Sequence, residues 1–484
     1  VIQWKVKFLG GFLSMEIESK KRLNYKELYI LILYAISLLR SIGAWNIVPT
    51  SIDSMIFNIV GLAGGIILLI EVVQIILRKK PFDYDILLVL FLIIFGISIL
   101  LNYKYNFFAN VKNFAWSALF LLTIYSVAKN KNTQENFFVK FQTILVSFGF
   151  IMSLISLGMF VFNYSYITPL ENKTNPLRLG FIENRLFGAY ADPNYAAVMA
   201  VVVIVFSLYL LLYKCKNVLF KVLLIINIIL QIFYIGLSGS RNGLVVLLAI
   251  TAVYTFFNVF YSKREAIQKN ILSRVIIGVI AAGLASSVMF LAVDVSKRAL
   301  SVVPDVFPAH KIISKNNSSN NKQTDEPVDL SREDIAGSGD ISNMRFTLWK
   351  SGIEVFKTSP LFGVAPKSIH DYAQKEVPNT YLAKTHLAVH NAYLNVLVCT
   401  GIFGALAALA FLGKNAYNVI KYAFMNNIKN NRFLYYMLAV LALAISGLFH
   451  NEIFFMTTSS PLVFWVFLAG LNNVMSQKKQ KQEK

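Results

Sequence analysis

Charge is scarce in this sequence. Of 484 residues only 15% are charged while 56% are hydrophobic, and mean hydropathy is +0.58. Soluble domains carry about 25% charged and about 45–50% apolar residues, so this balance excludes a soluble globular enzyme or a disordered regulator. Cysteine is almost absent. Cys215 and Cys399 lie in or beside apolar runs and supply neither a disulfide framework nor a zinc site. Acidic residues are rare inside those runs, with Glu71 near the end of one of them. That excludes the chain of intramembrane carboxylates that proton-coupled pumps use. No internal repeat and no separate soluble domain is visible.

What the sequence does have is apolar runs of bilayer-spanning length, about 20 residues each. Twelve fall at roughly 28–45, 56–77, 83–101, 111–128, 141–162, 194–213, 218–237, 243–261, 274–294, 390–412, 433–449 and 454–473. The first does not read as a signal peptide, being long and followed by no small-residue cleavage site. The net charge is +21, which in a soluble protein would suggest nucleic acid. Here the basic residues cluster in short loops between runs, so membrane topology accounts for them and no nucleic-acid partner is expected. One alternate set of loops, together with both termini, holds 27 Lys and Arg; the opposite set holds 7 once the long 295–389 loop is left out. Short loops rich in Lys and Arg stay cytoplasmic, and long loops do not enter the count. The expected topology therefore has both termini cytoplasmic in a multi-pass cytoplasmic-membrane protein, with 163–193, 238–242 and 295–389 facing outward.

The expected fold class is an all-α polytopic membrane protein. It comprises a cytoplasmic segment 1–27, helices one to nine over 28–294, an extracytoplasmic loop 295–389, helices ten to twelve over 390–473 and a basic tail 474–484. Within the long loop, 314–340 is polar without apolar periodicity and reads as disordered. Residues 341–358 read as an amphipathic helix near the membrane surface, stopped by Ser359-Pro360.

Polar character gathers at the outward ends of the runs in four clusters. In 237–243 (LSGSRNG), Arg241 sits at a tight turn among small residues. It reads either as a snorkelling arginine among lipid headgroups or as an anion clamp that grips phosphate in a bidentate way. In the surface helix, Arg345 and Trp349 share a face that Gly352 and Phe356 extend. That face is either an interfacial aromatic stripe or a cationic and aromatic wall over a site. In 388–406, His390 and Asn391 open the tenth run, with His386 four residues earlier; a lone interfacial His is usually structural, and no zincin arrangement follows. In 185–197, Arg185 precedes Asp192-Pro193-Asn194. The turn is a helix-start signal with Asn194 as a capping candidate, and Arg185 is a further anion contact candidate.

These clusters, in this order, resemble the O-antigen ligase and Wzy-type polysaccharide polymerase family of membrane glycosyltransferases over about residues 180–412. The most specific parts are Ser238-x-Ser240-Arg241, Pro360-Leu361-Phe362-Gly363-Val364, and His390-Asn391 with Tyr393-Leu394 and Gly401/Gly404; Gly188 and Pro193-Asn194 add to it. Ala365 departs from the pattern, which often has a second glycine there. The resemblance implies transfer of a glycan from undecaprenyl pyrophosphate to an acceptor hydroxyl at the outer face, without cofactor or metal. It implies His390 as catalytic base and Arg241 and Arg345 as pyrophosphate ligands. Arg185, Trp349, Asn391 and Asn194 complete the expected substrate-binding set. The implied partners are the undecaprenyl-pyrophosphate-linked oligosaccharide, the growing polysaccharide and the bilayer, and the resemblance admits a chain-length regulator.

The chemistry is consistent with those residues. Negative charge grows on the pyrophosphate oxygen as the anomeric bond opens, and fixed guanidinium groups stabilise that change. A neutral imidazole takes the acceptor proton and contributes about 10²–10⁴-fold. The one Asp-x-Asp pair, Asp83 and Asp85, falls on the cytoplasmic side of the expected topology, away from the pyrophosphate. A polymerase is expected over a ligase, since frequent Asn and Lys suggest an AT-rich bacterium with one membrane and no lipid A core. A flippase is the expected rival from another class, although transporters tend to show related halves and midplane polar sites.

Overall fold

The computed structural model describes residues 23–170, 176–262, 270–303, 330, 342, 344–385 and 387–482. The expectation of disorder at 314–340 falls, Leu330 apart, outside the described residues, as does His386. Along the chain run α1 (Tyr25–Leu39), α2 (Thr50–Ile76), α3 (Ile86–Leu101), α4 (Phe107–Ala118), which continues through a π-helical turn into α5 (Tyr125–Lys129), and α6 (Glu135–Val161). Then follow β1 (Ser165–Thr168), β2 (Leu177–Ile182), β3 (Arg185–Gly188), α7 (Pro193–Tyr213), α8 (Val218–Leu237), α9 (Arg241–Phe260) and α10 (Ile271–Ser301). The last part holds α11 (Arg345–Thr358), α12 (Ile369–Glu376), α13 (Tyr381–Thr385), α14 (Ala392–Met425), α15 (Arg432–Ser446) and α16 (Ser459–Gln482).

The helical class holds, and a helix lies at each of the twelve apolar runs. Among the described residues eight helices are long and apolar enough to cross a membrane, with α4 and α5 counted as one; α3 and α15 are shorter apolar helices. Their starts follow from the frequent asparagine. Asn24, Asn217, Asn270, Asn391 and Asn431 each cap a helix by accepting from its first backbone N–H groups, which have no intrahelical partner. The core helix is α7, 78% of whose most apolar window is buried; α2 and α10 leave nearly all of theirs exposed, at 11% buried. Exposed apolar helix faces suit lipid rather than water.

Opposite helix ends carry different polar sets. At one end Glu135 pairs with Lys214 (2.7 Å) and Arg432 (3.3 Å), and Asp85, the cap of α3, pairs with Lys414 (2.7 Å). All five residues belong to loops or helix ends expected on the cytoplasmic side. At the other end Gly43 N donates to Ala189 O and Ala191 N to Ser41 O, which joins the end of the first run to the 163–193 segment expected outside.

Three features of the fold are additions to the sequence reading. The expected all-α chain includes a small antiparallel sheet, β1–β2–β3, between α6 and α7. The described surface helix begins at Arg345, before which Met344 takes a left-handed backbone (φ 63°); Ile341 and Asn343, at the expected start, lie outside the described residues. Finally, α14 is broken at Gly401 (φ 63°, ψ −168°), and the Pro360–Ala365 segment fills the break. Val364 N and Ala365 N donate to Val398 O and Cys399 O, while Ile402 N donates to Pro360 O. Ser98 Oγ and Asn102 Nδ2, at the end of α3, bond Cys399 O and Gly363 O. A break in a membrane helix is tolerable when the freed backbone groups find such partners.

Candidate active site

The local structure follows from the end motifs of the runs. Ser240 caps α9 through Gly243 N, so Arg241 is the first residue of that helix, where backbone N–H groups favour an anion. Asn242 Nδ2 donates to Ser446 Oγ (3.0 Å), fixing the turn against the end of α15. Asn391 caps α14 by accepting from Tyr393 N and Leu394 N, and its own N–H donates to Asn451 Oδ1 (2.8 Å). His390, one residue earlier, is held at φ 54°, a region costly for any non-glycine residue and common where function requires it.

His390 does not stand alone. Its ring lies edge-on to that of His450, with centroids 6.2 Å apart and planes at 89°. Burial depresses its basicity, the Arg345 guanidinium depresses it further, and the Asp192 carboxylate opposes both. His450 is likewise pushed below the usual histidine range by burial, with the same Arg345 and Asp192 acting on it. Glu452 Oε1 lies 3.9 Å from His450 Nδ1, and burial, with Asp192 adding to it, pushes the Glu452 carboxyl up to about 8. Ser460 Oγ donates to Glu452 Oε2 (3.1 Å). The Arg345 guanidinium sits 5.7 Å over the Phe449 ring, next to His450 in the chain.

The remaining expected residues fall as follows. Arg185 is buried. It donates from Nε to Ser238 O (2.9 Å) and from a terminal nitrogen to Asn194 Oδ1 (2.7 Å), so it ties β3, α7 and the Ser238–Arg241 turn together. Asp192, not Asn194, caps α7, accepting from Asn194 N and Tyr195 N, with Pro193 at the first helical position. Trp349 stacks edge-on with Phe346 (5.4 Å), and its indole N–H is buried without a hydrogen-bond partner among the described residues. The buried face of α11 is Leu348, Ser351, Gly352 and Val355, packed on α14, with Arg345 and Trp349 at its flank. Ala365 occupies a left-handed conformation (φ 62°), which a glycine would adopt without strain.

Asp192, His450 and Glu452 were not expected in the site. Asp192 reads only as part of the Asp192-Pro193-Asn194 helix-start turn, with the cap placed on Asn194, and it is itself the cap. The signal for the other two is the second His-Asn pair, His450-Asn451, in the short loop before the last run. An apolar cavity of about 770 Å³ is lined on α14 by Tyr393 and by residues from Leu409 to Phe424, and walled also by α9, α10, α15 and α16.

The fold and this end cluster define a polytopic helical membrane protein in which two imidazoles, two carboxyls and a guanidinium act on one another at a single end of the helices. Residues 226–409 match the family model for O-antigen ligase, consistent with the O-antigen ligase and Wzy-type resemblance. The matched stretch contains Arg241, Arg345 and His390; Arg185, Asp192 and His450 lie outside it. Comparison with curated proteins gave no match. The match supports glycosyl transfer of the ligase or polymerase type.

Proposed function

We propose that the protein is a polysaccharide polymerase. It transfers glycan from an undecaprenyl-pyrophosphate-linked oligosaccharide to the hydroxyl of an acceptor lipid-linked unit, at the outer face of the cytoplasmic membrane. The observation that carries this reading is the gathering of His390 and Arg345 beside His450 at one helix end.

In the step itself the acceptor oxygen attacks the anomeric carbon while His390 removes its proton. The electron pair of the breaking bond leaves with the pyrophosphate, and Arg345 and Arg241 take up its charge. Direct displacement inverts the anomeric configuration. Both depressing influences on His390 keep it neutral near pH 7, the form a base needs. Asn391 fixes the His390 backbone through its cap, and Trp349 offers an indole N–H to the sugar. Arg185, committed to Ser238 and Asn194, acts by holding the turn that carries Arg241. The apolar cavity along α14 suits the polyprenyl chain.

Purified protein is incubated with lipid-pyrophosphate oligosaccharide, with and without EDTA, and the product is sized. A ladder is expected. A single transferred block would make the protein a ligase to a lipid, protein or wall acceptor, and absence of covalent product would favour a flippase. Loss of product on adding EDTA would overturn the metal-free step.

A further inference from the structure

The loop between α15 and α16 plays no part in the step above, yet it is fastened on several sides. Ala392 N donates to Gly447 O (2.7 Å), Asn391 N to Asn451 Oδ1 (2.8 Å), Trp465 Nε1 to Ile453 O (3.0 Å) and Asn113 Nδ2 to Phe455 O (2.8 Å). Two of these ties come from the residues directly after His390 and end on residues flanking His450. The backbone therefore sets one ring against the other, at 6.2 Å and nearly perpendicular. His450 is 8% exposed, and its Nε2 has no hydrogen-bond partner among the described residues. Its Nδ1 faces Glu452 at 3.9 Å. Glu452 is in turn held by Ser460, whose neighbour Ser459 shares a hydrogen bond with Tyr195.

The charged and titratable groups around the two rings come from three elements: Arg345 from α11, Asp192 from the start of α7 and the Glu452 carboxyl from the loop itself. Resting on the transferase reading, we propose that His450 is a positioning residue for His390, and that the one proton taken from the acceptor partitions between the two imidazoles through a bridging water, because rings 6.2 Å apart hold their nitrogens beyond direct hydrogen-bonding distance, with Asp192 as their counter-charge. The acceptor O–H bond breaks and its proton goes to His390. The oxygen bonds the anomeric carbon, and the carbon–oxygen bond to pyrophosphate breaks with its electron pair leaving on the phosphate. Beside Arg345 a single imidazolium is costly; one proton spread over two rings near Asp192 costs less. The proton then passes to solvent before the next turnover.

The test is His450→Gln in the full-length protein, with transfer measured across pH. The expected result is a kcat about tenfold lower with KM little changed, and an acid limb moved to lower pH, since His390 alone holds the proton less well. A purely structural His450 would lower the yield of folded protein and leave the limb in place. An acid limb at the wild-type pH overturns the proposal whatever the rate. If the wild type gives no covalent product, the transferase reading fails separately. In that case, or if His450→Gln does not fold, sharing is read from the wild-type protein labelled with ¹⁵N-histidine. Two of its five histidines should titrate together in two coupled steps, and independent single-step titrations overturn the proposal.

Discussion

At the residue scale the site turns on protonation. His390 must be neutral to act, and burial and Arg345 depress its pKa, so transfer should persist below pH 6.5, where an ordinary histidine is charged. The pH profile of kcat/KM checks this; a limb at or above 6.5 contradicts the assignment. His390→Ala should lower transfer at least about 100-fold with membrane expression intact. Arg241→Lys keeps the charge but loses the planar fork, and should cost about 10- to 100-fold in kcat. Glu452 gives a separate handle on stability. Its folded pKa is raised to about 8 from an ordinary 4.5, so between those values the native state binds more protons than the unfolded state and stability falls as pH rises. The depressed histidines act the opposite way, but only below 6.5. From pH 6.5 to 8 the Glu452 contribution therefore stands alone among these three groups and amounts to roughly 2 kcal/mol. Melting temperature in detergent should drop across that window in the wild type and stay level in Glu452→Gln.

At the element scale the broken helix α14 governs the position of the site. A Cβ at Gly401 would lie 2.3 Å from the Leu361 backbone, and one at Gly363 would lie 2.5 Å from that of Cys399. The two backbones thus approach each other where only glycine fits, and both glycines have positive φ. Gly401→Ala should destabilise the fold by about 3 kcal/mol, read as a lower melting temperature. Adding Gly363→Ala should cost less than the sum, because both act on one contact. The run at 390–412 was legible as a helix, and its glycines were legible as a motif. The break was not, because it depends on a partner 40 residues upstream that periodicity within one helix does not register. Transporters use such breaks to bind ions, but here the freed groups of Val398, Cys399 and Ile402 are occupied by the chain's own backbone. The β1–β3 sheet was illegible for a related reason. Its strands are four to six residues long and too short to show an alternating pattern against the apolar background.

At the scale of the whole molecule, hydropathy and loop charge made the helices legible, because lipid imposes length and polarity on every crossing. The site was half legible. Arg345 and His390 were named from their motifs, while Asp192, His450 and Glu452 entered only when folding brought separate loops together. Two polar sets lie at helix ends: Glu135 paired with Lys214 and Arg432, and Asp85 with Lys414, in one, and His390, His450, Asp192 and Arg345, which act on one another, in the other. If the first set is cytoplasmic, as the excess of basic residues in those loops leads one to expect, the imidazole end faces outward, as the proposed reaction needs. Single cysteines placed at positions 241 and 390, in a chain with Cys215 and Cys399 replaced, should react with a membrane-impermeant maleimide added outside intact cells. A cysteine at position 131, in the short loop after α5, should react only after the membrane is opened. Labelling of 390 from the cytosol alone would put the base on the wrong side of the bilayer, and no rearrangement of the arginines would restore the proposed reaction.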